Sequence, residues 1–244
     1  MTAALEFTDV RKSFTTAPAL AGVSMAIHPG EFFGLAGLNG AGKTTLIKCL
    51  LDLSSADAGR IAIFGTPSTR HTARARISFL PERFNPPYYL NGRDFLRMMA
   101  NLNGVDYAEA EALAVLRRLD LDLSALAKPV RAFSKGMTQK LGLAWCFIAD
   151  RDLTILDEPM SGLDPRARAG VKDLLSELKQ RGRTLFFTSH ALADMEEICD
   201  RVAVMHAGAI RFVGAPDELL LSTGSNTLER AFLRAIDSPR FASQ

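Results

Sequence analysis

The sequence predicts an α/β fold: a mixed sheet flanked by helices, an antiparallel β portion, and an inserted all-helical block. Three observations carry this. Short apolar runs bounded by turn residues alternate with segments of helical period at both ends of the chain. One run, Phe32 to Gly37, leads straight into a glycine-rich loop and then a helical pattern. Between Gly92 and about Ala149 the alternation stops and the period is helical.

Taken in order, Leu5 to Val10 and Val23 to Ile27 alternate apolar with polar or small residues, as strands of a half-exposed sheet do. Pro29-Gly30 marks a turn. Phe32 to Gly37 is apolar or glycine throughout, as in a strand buried on both faces. Leu46, Ile47, Leu50 and Leu51 give the next segment a helical face. Gly59 to Phe64 reads as a strand ended by Gly65 and Pro67, and Ile77 to Leu80 as a strand stopped by Pro81. Asn85-Pro86-Pro87 breaks regularity. Apolar faces then predict three helices, around Phe95 to Leu102, Ala112 to Leu119 and Leu141 to Ile148. Leu153 to Leu156 is a buried strand, Arg166 to Gln180 a helix, Thr184 to Thr188 a strand and Ala191 to Cys199 a helix. Val202 to His206 and Ala209 to Val213 form a hairpin across Ala207-Gly208. Pro216 to Leu221 is a short helix, Ser222 to Thr227 a polar linker, and Leu228 to Ile236 a last helix before a frayed tail.

Of the 244 residues, 48% are apolar and 23% charged, which excludes a disordered tail, a collagen or a small knotted toxin. The 29 Lys and Arg against 27 Asp and Glu leave a formal charge of +2, which argues against a nucleic-acid partner. Cys49, Cys146 and Cys199 are odd in number, far apart and form no C-x-x-C, so they read as reduced core cysteines of a cytosolic protein. The opening MTAALEFTDVRKSF is acidic early and lacks a long apolar stretch, so no secretory signal is expected. The longest apolar run, Leu143 to Ala149, falls far short of the ~20 residues of a membrane helix, so any membrane action requires another chain.

Gly37-Leu38-Asn39-Gly40-Ala41-Gly42-Lys43-Thr44 fits G-x-x-x-x-G-K-[ST]. Its glycines let backbone N–H groups turn inward around phosphate oxygens, and the helix beginning near Lys43 adds its positive end. Lys43 reaches β- and γ-phosphates, while the Thr44 hydroxyl suits Mg²⁺. The preceding strand and following helix are the context a P-loop NTPase core requires. The loop alone does not choose among kinases, GTPases and ATPases, but no N-K-x-D guanine reader occurs.

Leu153 to Leu156 ends in Asp157 and Glu158. Alone, Asp157-Glu158-Pro159 is as readily a strand-to-loop exit. Beside a phosphate loop, Asp157 is placed to hold Mg²⁺ through water and Glu158 to polarise an attacking water. A kinase needs no second carboxylate for that task, so Glu158 points to hydrolysis.

The order of motifs resembles the ATP-binding-cassette (ABC) ATPases over nearly the whole chain. It rests on GLNGAGKTT at Gly37 to Thr45, FSKGMTQK at Phe133 to Lys140, LTILDEP at Leu153 to Pro159, SGLD at Ser161 to Asp164 and TSH at Thr188 to His190. The resemblance implies one nucleotide-binding domain over 1–236. Its ATP-binding core would be 1–83 and 150–221, its helical subdomain with the signature loop 84–149, and a linker, helix and tail would fill 222–244. It implies ATP and Mg²⁺ as ligands. Catalysis falls to Glu158, His190 and Lys43. ATP is bound by Asn39, Gly40, Ala41, Gly42, Lys43, Thr44 and Thr45, with Phe14 stacking on adenine and Glu82 in the γ-phosphate sensor position. The metal falls to Thr44, Glu82 and Asp157. Ser134, Lys135 and Gly136 match the signature loop that closes on the ATP of the opposite subunit, and Asp164 the loop that talks across the dimer.

Physical readings stand beside these. Ser134 caps a helix starting near Gly136 and aims its positive end at a phosphate. Phe14 alone reads as core, and His190 alone as a polar loop residue. The signature departs from Leu-Ser-Gly-Gly-Gln, with Lys135 adding a cation, and Glu82 stands where the family usually has Gln.

One phosphate loop and one signature loop per chain imply a second ATPase subunit, a homodimer with two composite sites. The leading reading is a transporter ATPase. It would lie on the cytoplasmic face of the membrane, and ATP-driven dimerisation would move a separate polytopic transmembrane permease. Arg83 to Leu90, with Phe84, Tyr88 and Tyr89, either docks that partner or packs the helical subdomain. Glu82, FSKGM and Leu228 to Phe232 look like the ATPases of bacterial multidrug, antibiotic and sodium exporters, which favours export. The alternative is a soluble ABC ATPase, for example a cofactor-assembly factor. A small-molecule kinase leaves the signature, Glu158 and His190 unexplained.

Overall fold

The computed structural model describes residues 2–14 and 17–237. The tail expected to fray is mostly 238–244 and lies outside them. β1 (Leu5–Phe14) and β2 (Ala17–Ile27) pair antiparallel, with Leu5 opposite Ile27. Leu5, Phe7 and Val10 are buried while Glu6 and Asp9 are exposed. The alternation slips by one residue at a bulge between Phe7 and Val10, where Asp9 has φ 46°. Both strands run farther than their apolar patterns suggest.

β3 (Phe32–Gly37) is buried at all six positions, and α1 (Lys43–Leu50) follows the glycine loop. β4 (Ala58–Ile63) pairs with β1 from the side opposite β2. The predicted stop at Pro67 is instead a two-residue edge strand, β5 (Thr66–Pro67), with Pro67 opposite Ala62. An edge tolerates a residue without an N–H. These strands form an antiparallel sheet in the order β2-β1-β4-β5.

One turn, α2 (His71–Arg74), is too short to show a period. β6 (Ile77–Leu80) precedes the helical block of α3 (Gly92–Asn103), α4 (Glu109–Arg118) and α5 (Lys135–Ala149). Regular helix does not run through this block. Leu123–Ala127 and Val130–Ala132 are 3₁₀ turns, the second entered through Pro129. β7 (Leu153–Asp157), α6 (Pro165–Gln180), β8 (Thr184–Ser189), α7 (Leu192–Ile198), β9 (Arg201–His206) and β10 (Ala209–Gly214) complete the core. α8 (Pro216–Thr223) claims part of the predicted linker. Its last hydroxyls bond inside the helix, Thr223 Oγ1 to the Leu219 carbonyl at 2.8 Å, before Gly224 ends it at φ 61°. α9 (Leu228–Asp237) follows.

The second sheet is mixed, in the order β10-β9-β3-β8-β7-β6, with only the β9–β10 pair antiparallel. Period-two alternation divides its buried strands between two apolar cores. Phe33, Leu35, Ile155 and Phe186 face the antiparallel sheet and α1. Phe32, Leu156, Leu185 and Phe187 face the long helices. The three cysteines are buried and free, and burial pushes the Cys146 thiol up to about 12. The sheet therefore presents the carboxyl ends of β3, β6, β7 and β8 on one side, where open α/β sheets bind ligands.

Candidate functional site

The loop after β3 is shaped to hold an anion. Gly42 is the N-cap of α1 at φ 111° and offers no side-chain cap, so the first N–H groups of the helix are left for a ligand. A Cβ on Gly42 would sit 2.5 Å from the Ala19 carbonyl, so only glycine fits there. Gly40, at φ 82°, has open space where a side chain would stand. Lys43 is buried, and its Nζ donates to the Gly37 carbonyl at 2.6 Å and lies 4.0 Å from Glu158 Oε1.

The two acids leave β7 in different directions. Asp157 accepts from Thr44 Oγ1 at 3.2 Å and from Thr188 Oγ1 at 2.6 Å, which occupies both of its oxygens. Glu158 turns at φ 51°. Its N–H reaches the Thr188 carbonyl at 3.2 Å and the Thr188 hydroxyl at 3.1 Å. Its carboxylate lies 2.8 Å from His190 Nδ1, while the imidazole remains 70% exposed. Thr188 thus orients both acids. Its only sequence signal is the position before Ser189-His190, which assigns it no role by itself.

These groups surround a cavity of about 660 Å³. It is lined by Gly37 to Thr45, Glu82, Asp157, Glu158, Ser161 and His190, and also by Glu229, Phe232 and Leu233 of α9. The sequence gives no reason to place α9 there. Its amphipathic face buries Leu228, Ala231, Phe232 and Ala235 against the core, which leaves Glu229 and Leu233 at the rim.

Other expected site residues stand outside this cavity. Phe14 ends β1 half exposed, with Lys12 Nζ 5.5 Å from its ring centre. Asp57 steadies that strand end, accepting from Lys12 Nζ and the Ser13 N–H, each at 2.7 Å. Ser134 Oγ accepts from the Met137 N–H at 3.2 Å and so caps α5, the role read from its position. Lys135 is exposed and runs past Gly162, whose carbonyl would lie 3.2 Å from a Cβ on Gly136. Asp164 caps α6 through Ala167, and its pairing with Lys140 lowers its carboxyl to about 2.

The donor set suits Mg²⁺. A hydroxyl and one carboxylate converge beside the phosphate cradle, and Mg²⁺ usually keeps several waters and takes phosphate oxygens as further ligands. Among the described residues no group of three or more His, Cys, Asp and Glu side chains holds a metal by itself. Glu82 is exposed at the rim. Its charge there is shielded by water. Glu82→Gln is therefore expected to leave ATP affinity within about tenfold, checked by titration with MgATP; complete loss of binding would contradict this.

No helix among the described residues is long and apolar enough to cross a membrane. The chain is 40% identical over 202 residues, 81% of its length, to an uncharacterized ABC transporter ATP-binding protein of Synechocystis sp.. It is 37% identical over 224 residues, 90% of its length, to the Nod factor export ATP-binding protein I of Paraburkholderia xenovorans. The chain spans 57% of the first relative and 73% of the second. The solved structure of an ATP binding subunit of an ABC transporter superimposes with a TM-score of 0.87 at 30% identity, covering 95% of this chain and 99% of that one. A dimeric ATP-binding cassette bound to ADP and phosphate shares the fold at 19% identity, with a TM-score of 0.78 over 86% of this chain and 98% of that one. The sequence pattern of the ABC transporter family matches residues 20–161, from β2 through the phosphate loop to the acidic strand end, and the chain belongs to that family.

Proposed function

We propose that the chain is the ATP-binding and ATP-hydrolysing subunit of an ABC transporter, paired with a second copy and with a separate transmembrane permease. The observation that carries this is the convergence of Lys43, Asp157, Glu158 and His190 on one phosphate cradle.

In this reading the loop N–H groups and Lys43 bind the β- and γ-phosphates, and Phe14 stacks on adenine. Thr44 and Asp157 would hold Mg²⁺, with Glu82 at the rim. Mg²⁺ supplies charge neutralisation on the phosphates. Glu158 takes a proton from the attacking water as its oxygen bonds to the γ-phosphorus. The bond to the β–γ bridging oxygen breaks, leaving ADP and phosphate. His190, held against Glu158, faces the γ-phosphate. Ser134, Lys135, Gly136 and Asp164 face outward to complete the site of the second copy, which accounts for their place outside this chain's own cavity.

We assign the ATP-binding core to 1–83 and 150–221 and the helical subdomain to 84–149, with the exposed Tyr88 and Tyr89, which follow Glu82 in the sequence, as the side toward the permease. Export is supported by the Nod factor export proteins among the relatives. The chain would then work on the cytoplasmic face of the membrane.

The test is a tagged pull-down from detergent-solubilised membranes of the source cell, with phosphate release measured without an acceptor. A stoichiometric polytopic membrane protein and steady phosphate release are expected. A soluble companion alone would move the assignment to a cofactor-assembly ATPase.

A further inference from the structure

Lys140 lies in the second turn of α5, the helix that Ser134 caps. Its side chain is only 9% exposed, and its Nζ is shared between two acidic residues. Nζ donates to Asp164 Oδ2 at 2.8 Å and to the Asp120 carbonyl at 2.9 Å, and lies 3.8 Å from Asp120 Oδ2. Asp120 follows α4 and has φ 55°. The preceding residue, Gln139, is also buried and donates from Nε2 to the Pro159 carbonyl at 3.2 Å. Adjacent side chains of one helix therefore grip both ends of the loop that runs from Glu158 to Asp164. That loop carries Ser161 into the nucleotide cavity.

Helix capping alone does not explain this. An Asp caps a helix without a cation, and Asp164 already accepts from the Ala167 N–H at 2.9 Å. Burying an ammonium carries a desolvation cost that its pairing about offsets, so such a pair adds little net stability but fixes a geometry. The geometry fixed here joins α5, the end of α4 and the loop after Glu158.

We propose that Lys140 is a positioning residue that couples α5 to the Glu158–Asp164 loop, so that nucleotide binding and helix position move together. This rests on the reading of the site as an ATP hydrolase. The single tryptophan, Trp145, lies buried on α5 and reports on that helix.

The experiment uses the full chain with Lys140→Met, Lys140→Arg, Asp164→Asn and the double variant Lys140→Met/Asp164→Asn. MgATP is added while Trp145 emission is followed, nucleotide affinity is measured by displacement of a fluorescent ATP analogue, and kcat is expressed per nucleotide-binding site. The wild type is expected to change its Trp145 emission on binding MgATP. Lys140→Met should lose most of that change and lower kcat at least about tenfold, with affinity within about threefold. Lys140→Arg should restore both, and the Trp145 emission change of the double variant should be no smaller than that of Lys140→Met. A wild-type emission change that survives Lys140→Met, no change in the wild type, or a defect that Lys140→Arg does not repair overturns the coupling. Absence of phosphate release from the wild type would instead overturn the hydrolase reading, since the emission change does not depend on turnover.

Discussion

Glu158→Gln is expected to lower phosphate release about 100-fold or more, while MgATP affinity stays within about threefold. The substitution keeps the shape of the side chain and removes its capacity to accept a proton. Glu158 does not touch the groups that shape the phosphate cradle except through Lys43, at 4.0 Å, where a long contact between charges is weak. Its backbone is held by Thr188 and not by its own carboxylate, so the turn at φ 51° survives the change. The amide also retains an oxygen or N–H for His190 at the observed 2.8 Å. Binding therefore persists while proton removal from water stops. If ATP joins two copies, the variant accumulates as an ATP-bound dimer visible by size-exclusion chromatography with MgATP. Hydrolysis within about threefold of the wild type would remove Glu158 from the role of base and leave Asp157 or bulk water to supply it.

What the sequence reveals of this site follows from how local each requirement is. The phosphate cradle is legible because its chemistry is written in consecutive residues. Glycines must stand where φ is positive or a backbone approaches, as Gly42 does against the Ala19 carbonyl. Asp157 and Glu158 are legible because a buried strand ends on them. Thr188 is not, because a threonine near the end of one strand orients acids at the end of another only after β7 and β8 pair. The contribution of α9 is hidden for the same reason. Its pattern declares an apolar face but not that the rim beside that face meets the nucleotide cavity. Lys140 reads as an ordinary helical cation until the fold encloses it between Asp120 and Asp164. In the fold, the alternating strands and long helices are legible from period alone. The misses, β5, α2 and the 3₁₀ turns, are elements of two to five residues, shorter than the period that would reveal them.

Lys43→Ala is expected to weaken MgATP binding about 100-fold or more, because a hydrogen bond to a charged group is worth about 1.5–3 kcal/mol and the proposed function gives this ammonium two phosphates to bind. Nζ is aimed into the loop by its bond to the Gly37 carbonyl, at 2.6 Å, so the cation is placed before ligand arrives and little ordering is needed on binding. The loop itself should keep its shape, since its turns are fixed by glycine conformations and by the Ala41 N–H to Leu38 carbonyl bond at 3.1 Å. Titration with MgATP and a thermal melt separate the two effects. A large affinity loss with a melting temperature within a few degrees of the wild type is the expected pair of results. An affinity within about threefold would mean that the N–H groups of α1 alone supply the anion binding. Lys43→Arg distinguishes charge from shape, because the planar guanidinium is too wide for a side chain already buried to 7% exposure. If charge alone mattered, arginine would restore binding. A second loss with arginine shows that the site selects a compact cation at one point, which is what two phosphate groups converging on one nitrogen require.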